Sequence, residues 1–296
     1  MNGKWYIMGT ILSAWMSAFT FHDDLIPMTF DGEVLNKPFL GGFNRPKIQW
    51  LDWDADGDID LFILDVSGYL RYLENQGSGN MPDFHMITPA FQDIFCGGWF
   101  HFADFDQDGD LDLMAQNEIE PNHISFFNNA EGEYNFIEVV TALDGGYVYS
   151  SSVMTPTFAD IDNDGDLDFF TGNMVGTLTY YENISQKNNI PQLEFSTNSW
   201  EDISIVGGAQ RDDRHGASAI TFIDLDGDGD LDLSWGDYNQ QSLYIIWNTG
   251  TPEIAEMNEV TIQYPPIDPI ISSGQNMPTF ADLDGDGDED LFVTVL

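Results

Sequence analysis

Apolar stretches of about four residues, separated by polar turns, run through most of this chain. Ile48-Gln49-Trp50-Leu51, Phe100-His101-Phe102-Ala103, Pro156-Thr157-Phe158-Ala159, Ile220-Thr221-Phe222-Ile223 and Pro278-Thr279-Phe280-Ala281 share a length and an alternation that suit β-strands. After a polar interval each is followed by another such stretch, for example Leu61-Phe62-Ile63-Leu64 or Leu291-Phe292-Val293. Four times an aromatic-rich run comes next and ends in asparagine, at 68–75, 122–129, 176–183 and 241–248. Within these runs Leu70/Tyr72, Ile124/Phe126, Leu178/Tyr180 and Leu243/Ile245 share one face, because side chains along a strand alternate with period two. Asn75, Asn129, Asn183 and Asn248 align at the ends and predict the start of a turn. A weaker apolar segment follows, such as 83–87 or 135–140, and no useful stretch carries a helical period.

The polar interval is itself a repeat. It reads D-x-D-x-D-G-D-x-D at 52–60, 104–112, 160–168, 224–232 and 282–290, with starts separated by 52, 56, 64 and 58 residues. About four antiparallel strands per repeat make a propeller blade, so the expected fold is an all-β propeller of four-stranded blades with about five repeats. Gly41-Gly42, Gly97-Gly98, Gly145-Gly146 and Gly207-Gly208, and Ser273-Gly274 in the fifth repeat, sit where the chain must reverse between blades. In the first four repeats the third strand starts 10 to 12 residues after the last loop aspartate, Asp60 to Leu70, Asp112 to Ile124, Asp168 to Leu178 and Asp232 to Leu243. Counted from Asp290, the same strand would fall beyond Leu296. The ring is therefore expected to be incomplete or open, with an edge that invites pairing, unless the natural product is longer. The segment Leu25–Phe43 has room for one closing strand.

Charge sharpens the picture. The 296 residues hold 51 acids against 8 Lys plus Arg, a formal net charge of −43. Such a chain is repelled by phosphate backbones, which excludes nucleic acid and polybasic membrane contacts. With 42% hydrophobic and 14% aromatic residues, the acidity is not that of a disordered tail. The five loops hold 25 of the aspartates, so the charge is concentrated, as cation sites require. The candidate ligands are Asp52, Asp54, Asp56, Asp58 and Asp60; Asp104, Asp106, Asp108, Asp110 and Asp112; Asp160, Asp162, Asp164, Asp166 and Asp168; Asp224, Asp226, Asp228, Asp230 and Asp232; and Asp282, Asp284, Asp286, Asp288 and Asp290. Alternating carboxylates project to one side of a tight loop, and the glycine at position 6 lets the backbone turn sharply. Side-chain ligands are expected at positions 1, 3, 5 and 9, with a main-chain carbonyl at position 7. The loop is not an EF-hand, which needs Glu at position 12; Ile63, Ala115, Thr171, Trp235 and Val293 stand there.

The Phe-Ala-Asp that precedes the second, third and fifth loops, the aspartate loop itself and the following G-x-L-x-Y-Y-E-N strand (176–183) together resemble the FG-GAP/VCBS-type repeats of integrin α-subunit propellers and of many secreted bacterial proteins. The resemblance covers roughly residues 40–296. It implies calcium, up to five structural ions, on the hairpins of propeller blades, ligated at positions 1, 3, 5, 7 and 9. Rings of this kind commonly have about seven blades, against five loops here.

Other chemistry is sparse. The lone Cys96 permits no intrachain disulfide or Cys-based metal site and reads as a small buried hydrophobe. His22, His85, His101, His123 and His215 form no metal-binding spacing, and His101 falls at a strand position. No G-x-S-x-G, H-E-x-x-H or Walker sequence occurs. Glu118, Glu120 and Asp237 are acids outside the loops, without a motif around them. Arg211-Asp212-Asp213-Arg214-His215 reads as a charge-paired surface loop or a ligand-binding insertion in the longest interval. Lys4, an apolar run from Trp5 to Phe19 and the small residues Ala18 and Thr20 read as a secretory signal peptide over 1–20, leaving 21–296 as the propeller domain. No other stretch approaches the length of a transmembrane span, so no membrane anchor is expected. The expected function is a secreted or cell-surface, calcium-binding, non-catalytic module for adhesion or for an extracellular protein or glycan ligand. The alternative is a propeller lyase or glycosidase acting on extracellular polysaccharide with structural calcium, since propellers host both.

Overall fold

The computed structural model describes residues 29–30, 33–34, 43–78, 81–150, 154–185, 190–205 and 216–295. The chain separates into two units, 1–42 and 43–296. In the first, two short strands, β1 (Thr29–Phe30) and β2 (Glu33–Val34), pair antiparallel. The expected signal peptide and the Arg211–His215 segment lie outside the described residues, as do the glycine pairs at 41–42 and 207–208.

The second unit is an all-β propeller. Its first blade is β3 (Lys47–Leu51), β4 (Asp60–Leu64), β5 (Leu70–Asn75) and β6 (Phe84–Thr88). The second is β7 (Phe100–Ala103), β8 (Asp112–Gln116), β9 (Ile124–Ala130) and β10 (Glu133–Val139). The third is β11 (Thr157–Ala159), β12 (Asp168–Gly172), β13 (Leu178–Asn183) and β14 (Leu193–Thr197). The fourth is β15 (Ala217–Ile223), β16 (Asp232–Asp237), β17 (Leu243–Asn248) and β18 (Met257–Thr261). Strands in each blade are antiparallel neighbours in chain order, and β19 (Asn276–Ala281) with β20 (Asp290–Val295) makes a two-stranded fifth sheet.

Burial explains the sequence pattern. Every residue of β8, β12 and β16 is buried, because a second strand is covered on both faces by neighbouring blades. Hence apolar residues follow one another without alternation inside them, as Leu113-Met114-Ala115 and Phe169-Phe170, and the polar residues they hold are buried with them. The outer strands β14 and β18 bury only their first residue, which is why the fourth segment of each repeat is weakest in sequence. The blades meet through aromatic clusters. Trp53, Phe62, Tyr72, Phe91, Phe102 and Tyr134 fill the joint between the first two blades. Phe105, Phe126, Phe158 and Phe169 fill the next, and Phe170, Trp200, Phe222 and Trp235 the one after. Cys96 is fully buried beside the first joint, in the hydrophobic role expected of it.

The inner strands lie side by side around an axis. The Gln49 side chain bonds both backbone groups of Phe102 at 2.8 Å, Thr155 pairs with Ala219, and the Thr221 hydroxyl donates to the Pro278 carbonyl at 2.9 Å. β19 packs beside both β15 and β3, and Trp50 meets Phe292 of β20 with ring centres 4.6 Å apart. The inner circle of five strands therefore closes. The expected incompleteness is confined to the outer half of the fifth sheet, where only β19 and β20 are present among the described residues. Inside the circle is an axial cavity of about 210 Å³. His101 lines it and packs on Phe105 and Phe158; burial pushes its imidazole down to about 4, so it stays neutral near pH 7.

Candidate metal centres

Each aspartate loop joins an inner strand to the second strand of its blade. The residue before position 1 pairs with the aspartate at position 9 in all five, as Leu51↔Asp60, Ala103↔Asp112, Ala159↔Asp168, Ile223↔Asp232 and Ala281↔Asp290. Eight residues must then reverse the chain in a compact arc. Two backbone positions make this possible. The glycine at position 6 has φ of +94° to +104° in every loop, where a side chain would be strained. Position 4 is also left-handed, with φ of 59° at Ala55, 62° at Gln107 and 58° at Asn163, and with Gly227 and Gly285 in the last two loops. The Asn and Gly residues at position 4 were the visible sign of this second bend.

The arc turns carboxylates inward. In the first loop Asp52 accepts from the N–H of Asp56 and of Gly57, both at 3.1 Å, and Asp54 and Asp56 accept from the N–H two residues on. The Asp108/Asp104, Asp164/Asp160, Asp228/Asp224 and Asp286/Asp282 pairs repeat the bond from position 5 to position 1 at 3.0–3.2 Å. The result is a triad in each loop whose oxygens lie within 4.8 Å of one another: Asp52/54/56, Asp104/106/108, Asp160/162/164, Asp224/226/232 and Asp282/284/286.

Position 9 has a second task. Asp60, Asp112, Asp168 and Asp232 are buried at the start of the second strand and accept the backbone N–H of Asn75, Asn129, Asn183 and Asn248 at 2.7–2.9 Å. The asparagine side chains of the first three donate back to the carbonyls of Ile59, Leu111 and Leu167. Their amide oxygens accept the next turn's N–H groups, as the alignment of asparagines predicted. Tyr72 and Tyr180 add a hydroxyl to the second oxygen of Asp60 and Asp168, each at 3.1 Å. Phe126 stands at the same place in the second blade, so Asp112 Oδ2 lacks that partner and has none among the described residues. This clasp between loop and third strand went unread in the sequence, although an asparagine recurs 15 to 17 residues after each of these aspartates. Asp290 receives only the Leu283 N–H, at 3.3 Å, among the described residues.

Position 7 varies. Asp166 and Asp230 are buried and each holds one oxygen without a hydrogen-bond partner, whereas Asp110 and Asp288 are exposed. Burial, with neighbouring carboxylates adding to it, pushes Asp166 up to about 7 and Asp230 to about 6. Burial likewise raises Asp112 and Asp168 to about 7 and Asp232 to about 6. An all-oxygen donor set, crowded anions and partnerless buried oxygens fit a hard divalent cation. Among the described residues the acids outside the loops gather into no second site: Glu118 and Glu120 are exposed in the β8–β9 turn, while Asp237 is buried at the end of β16, accepting from Asn239 and Gln240.

The raised values carry a prediction for the protein without metal. Aspartates that titrate near 3.8 in the unfolded chain hold their protons to about 6–7 when folded. The folded form then binds more protons, so stability is greatest at low pH and is lost as pH rises through that window. In chelator the melting temperature should fall from pH 5 to pH 8. With calcium, which requires the ionised carboxylates, the fall should vanish. Parallel melts check this, and a chelated protein more stable at pH 8 would contradict it.

The curated relatives are modest in identity. Cartilage acidic protein 1 from Xenopus tropicalis is 27% identical over 189 residues, from Mus musculus 26% over 187 and from Homo sapiens 25% over 187. Each alignment covers 63% of this chain and 27–28% of the relative, so the chain spans little more than a quarter of those proteins. Among the described residues no helix is long and apolar enough to cross a membrane. The model of the FG-GAP-like repeat matches residues 52–115, 104–171 and 224–293, which together hold all five loops, and the chain belongs to that family.

Proposed function

We propose that this is a secreted or cell-surface, non-catalytic ligand-binding propeller whose blades are pinned by up to five calcium ions. The observation that carries the reading is the fivefold recurrence of a carboxylate triad on one end of the ring. Positions 1, 3 and 5 would supply side-chain oxygens to the ion, position 9 would close the shell while clasping the third strand, and position 7 would add its carbonyl. Calcium would supply charge neutralisation rather than reaction chemistry. Extracellular calcium suits such sites, because modules of this kind bind at about 10⁻⁴–10⁻³ M. The name of the relatives ties them to cartilage and to acidity, in keeping with an extracellular, acidic module.

Calorimetric titration should give up to five calcium ions per chain. Asp164→Ala, at the exposed position 5 of the third loop, should remove one of them. A full-length protein that takes up no calcium would refute the reading. Residues 1–20 are proposed to be removed on export, leaving 21–296. N-terminal sequencing of the exported protein should find Met1 absent, and an exported chain beginning at Met1 would count against it.

A further inference from the structure

The described residues hold only three lysines and arginines, and all three belong to one corner of the ring: Arg45, Lys47 and Arg71. That corner lies at the end of the axial cavity away from the aspartate loops, where the inner strands begin. A second cavity of about 260 Å³ opens there, lined by Arg45, Lys47, Asp65, Gly97, Tyr238 and Gln275 among others. Lys47 lines both this mouth and the axial cavity below it.

The corner is costly as it stands. Arg71 is engaged, 3.7 Å from Asp65 and over the Phe43 ring. Asp65 is buried and further occupied by the N–H groups of Asn44 and Val66. Neither the Arg45 nor the Lys47 side chain has a hydrogen bond or ion pair among the described residues. They are nonetheless neighbours, two residues apart and lining the same cavity; burial and then the Arg45 charge push Lys47 down to about 8, against a smaller pull from Asp65. Arg45 is also held at φ 66°, a left-handed backbone that strains a non-glycine residue. Two cations on one cavity in a chain this acidic, Arg45 exposed on a strained backbone and Lys47 desolvated, make a good anion cradle. A carboxylate or sulfate between them would accept charge-assisted bonds from the guanidinium fork and the ammonium.

We propose that this mouth of the axial channel binds a small oxyanion, the carboxylate or sulfate group of a ligand, between Arg45 and Lys47. The cavity is somewhat smaller than the ~300 Å³ at which sites for drug-sized ligands begin, so it takes one terminal group rather than a long chain. The aspartate loops do not forbid this. An inner strand of five residues spans about 17 Å, and charges at that distance are largely screened at a Debye length of about 8 Å. The site gives the ligand-binding reading above a place and a chemistry; it rests on that reading for the ring being a binding module, but not for calcium.

The test titrates the full chain in calcium with sodium glucuronate, sodium sulfate and glucose, read by calorimetry. Glucuronate or sulfate should bind and neutral glucose should not; which of the two anions binds tighter identifies the source of the charge. Lys47→Met should weaken the anion about tenfold or more. Arg45→Gly should do the same while melting at or above the parent's temperature, since glycine accepts φ 66° without strain. Undiminished binding by well-folded Arg45→Gly, equal binding of glucose, or no binding of either anion would overturn the proposal. Calcium uptake by the same samples is measured separately, so its failure would fall on the calcium reading alone.

Discussion

Chelating calcium should lower the melting temperature of this protein by roughly 10–25 °C, given its length and the usual unfolding entropy per residue. The size follows from mass action. A ligand that binds only the folded form adds RT ln(1 + [L]/Kd) for each site. With Kd of about 0.1–1 mM and about 10 mM calcium, each site contributes roughly 1.4–2.7 kcal/mol. Five independent sites reach about 7–14 kcal/mol, as much as the whole stability of an ordinary domain. Calcium bound by the denatured chain makes that sum an upper bound. Magnesium should restore little of the loss, because it demands a smaller octahedral shell and gives up its water reluctantly. Thermal melts in chelator, calcium and magnesium decide the matter, and a melt indifferent to chelator would remove calcium from the fold.

Asp168→Ala should cost far more than Asp164→Ala, although both sit in the third loop. Asp164 is exposed, and its loss removes one calcium's share. Asp168 is 2% exposed and receives the Asn183 N–H at 2.7 Å and the Tyr180 hydroxyl at 3.1 Å. Truncation leaves the buried Asn183 N–H without an acceptor, at about 1–3 kcal/mol, and strips the half-buried Tyr180 hydroxyl of its bond, at about 1 kcal/mol, on top of the lost ion. A total of about 3–7 kcal/mol is expected in calcium. Asp168→Asn keeps an acceptor for Asn183 and should lose less, and Tyr180→Phe should lose about 1 kcal/mol. Denaturant titrations of the four variants measure this. Equal losses for Asp164→Ala and Asp168→Ala would mean that position 9 acts only as a ligand and not as a clasp.

The contrast between these two aspartates shows how far the sequence could be read. Alternation and spacing are local, so strands such as Leu70–Asn75 and loops such as 52–60 were legible from one stretch of chain. So was the buried face of Leu70 and Tyr72, because period two leaves no other choice. The clasp was not legible, because an aspartate and an asparagine 15 residues apart look independent until the antiparallel register brings Asp168 to Asn183. Ring closure was hidden for a similar reason. Counting strands revealed the short fifth sheet, but whether β19 reaches β3 depends on the twist and crossing of every blade between. Arg45 and Lys47 carried no motif at all; only the fold sets them at one end of a channel.

The family repeat and the structural blade are out of step. The match over 52–115 starts at the first loop, takes β4, β5 and β6 of one blade, and ends in β8 of the next. It thus contains Phe62 and Tyr72 on one side of a joint and Phe102 on the other, all members of one aromatic cluster. A duplication that copies one such unit copies an interface along with a sheet, so the newcomer arrives already fitted to its neighbour. Propellers assembled this way can change their number of members without inventing a new way for two of them to touch.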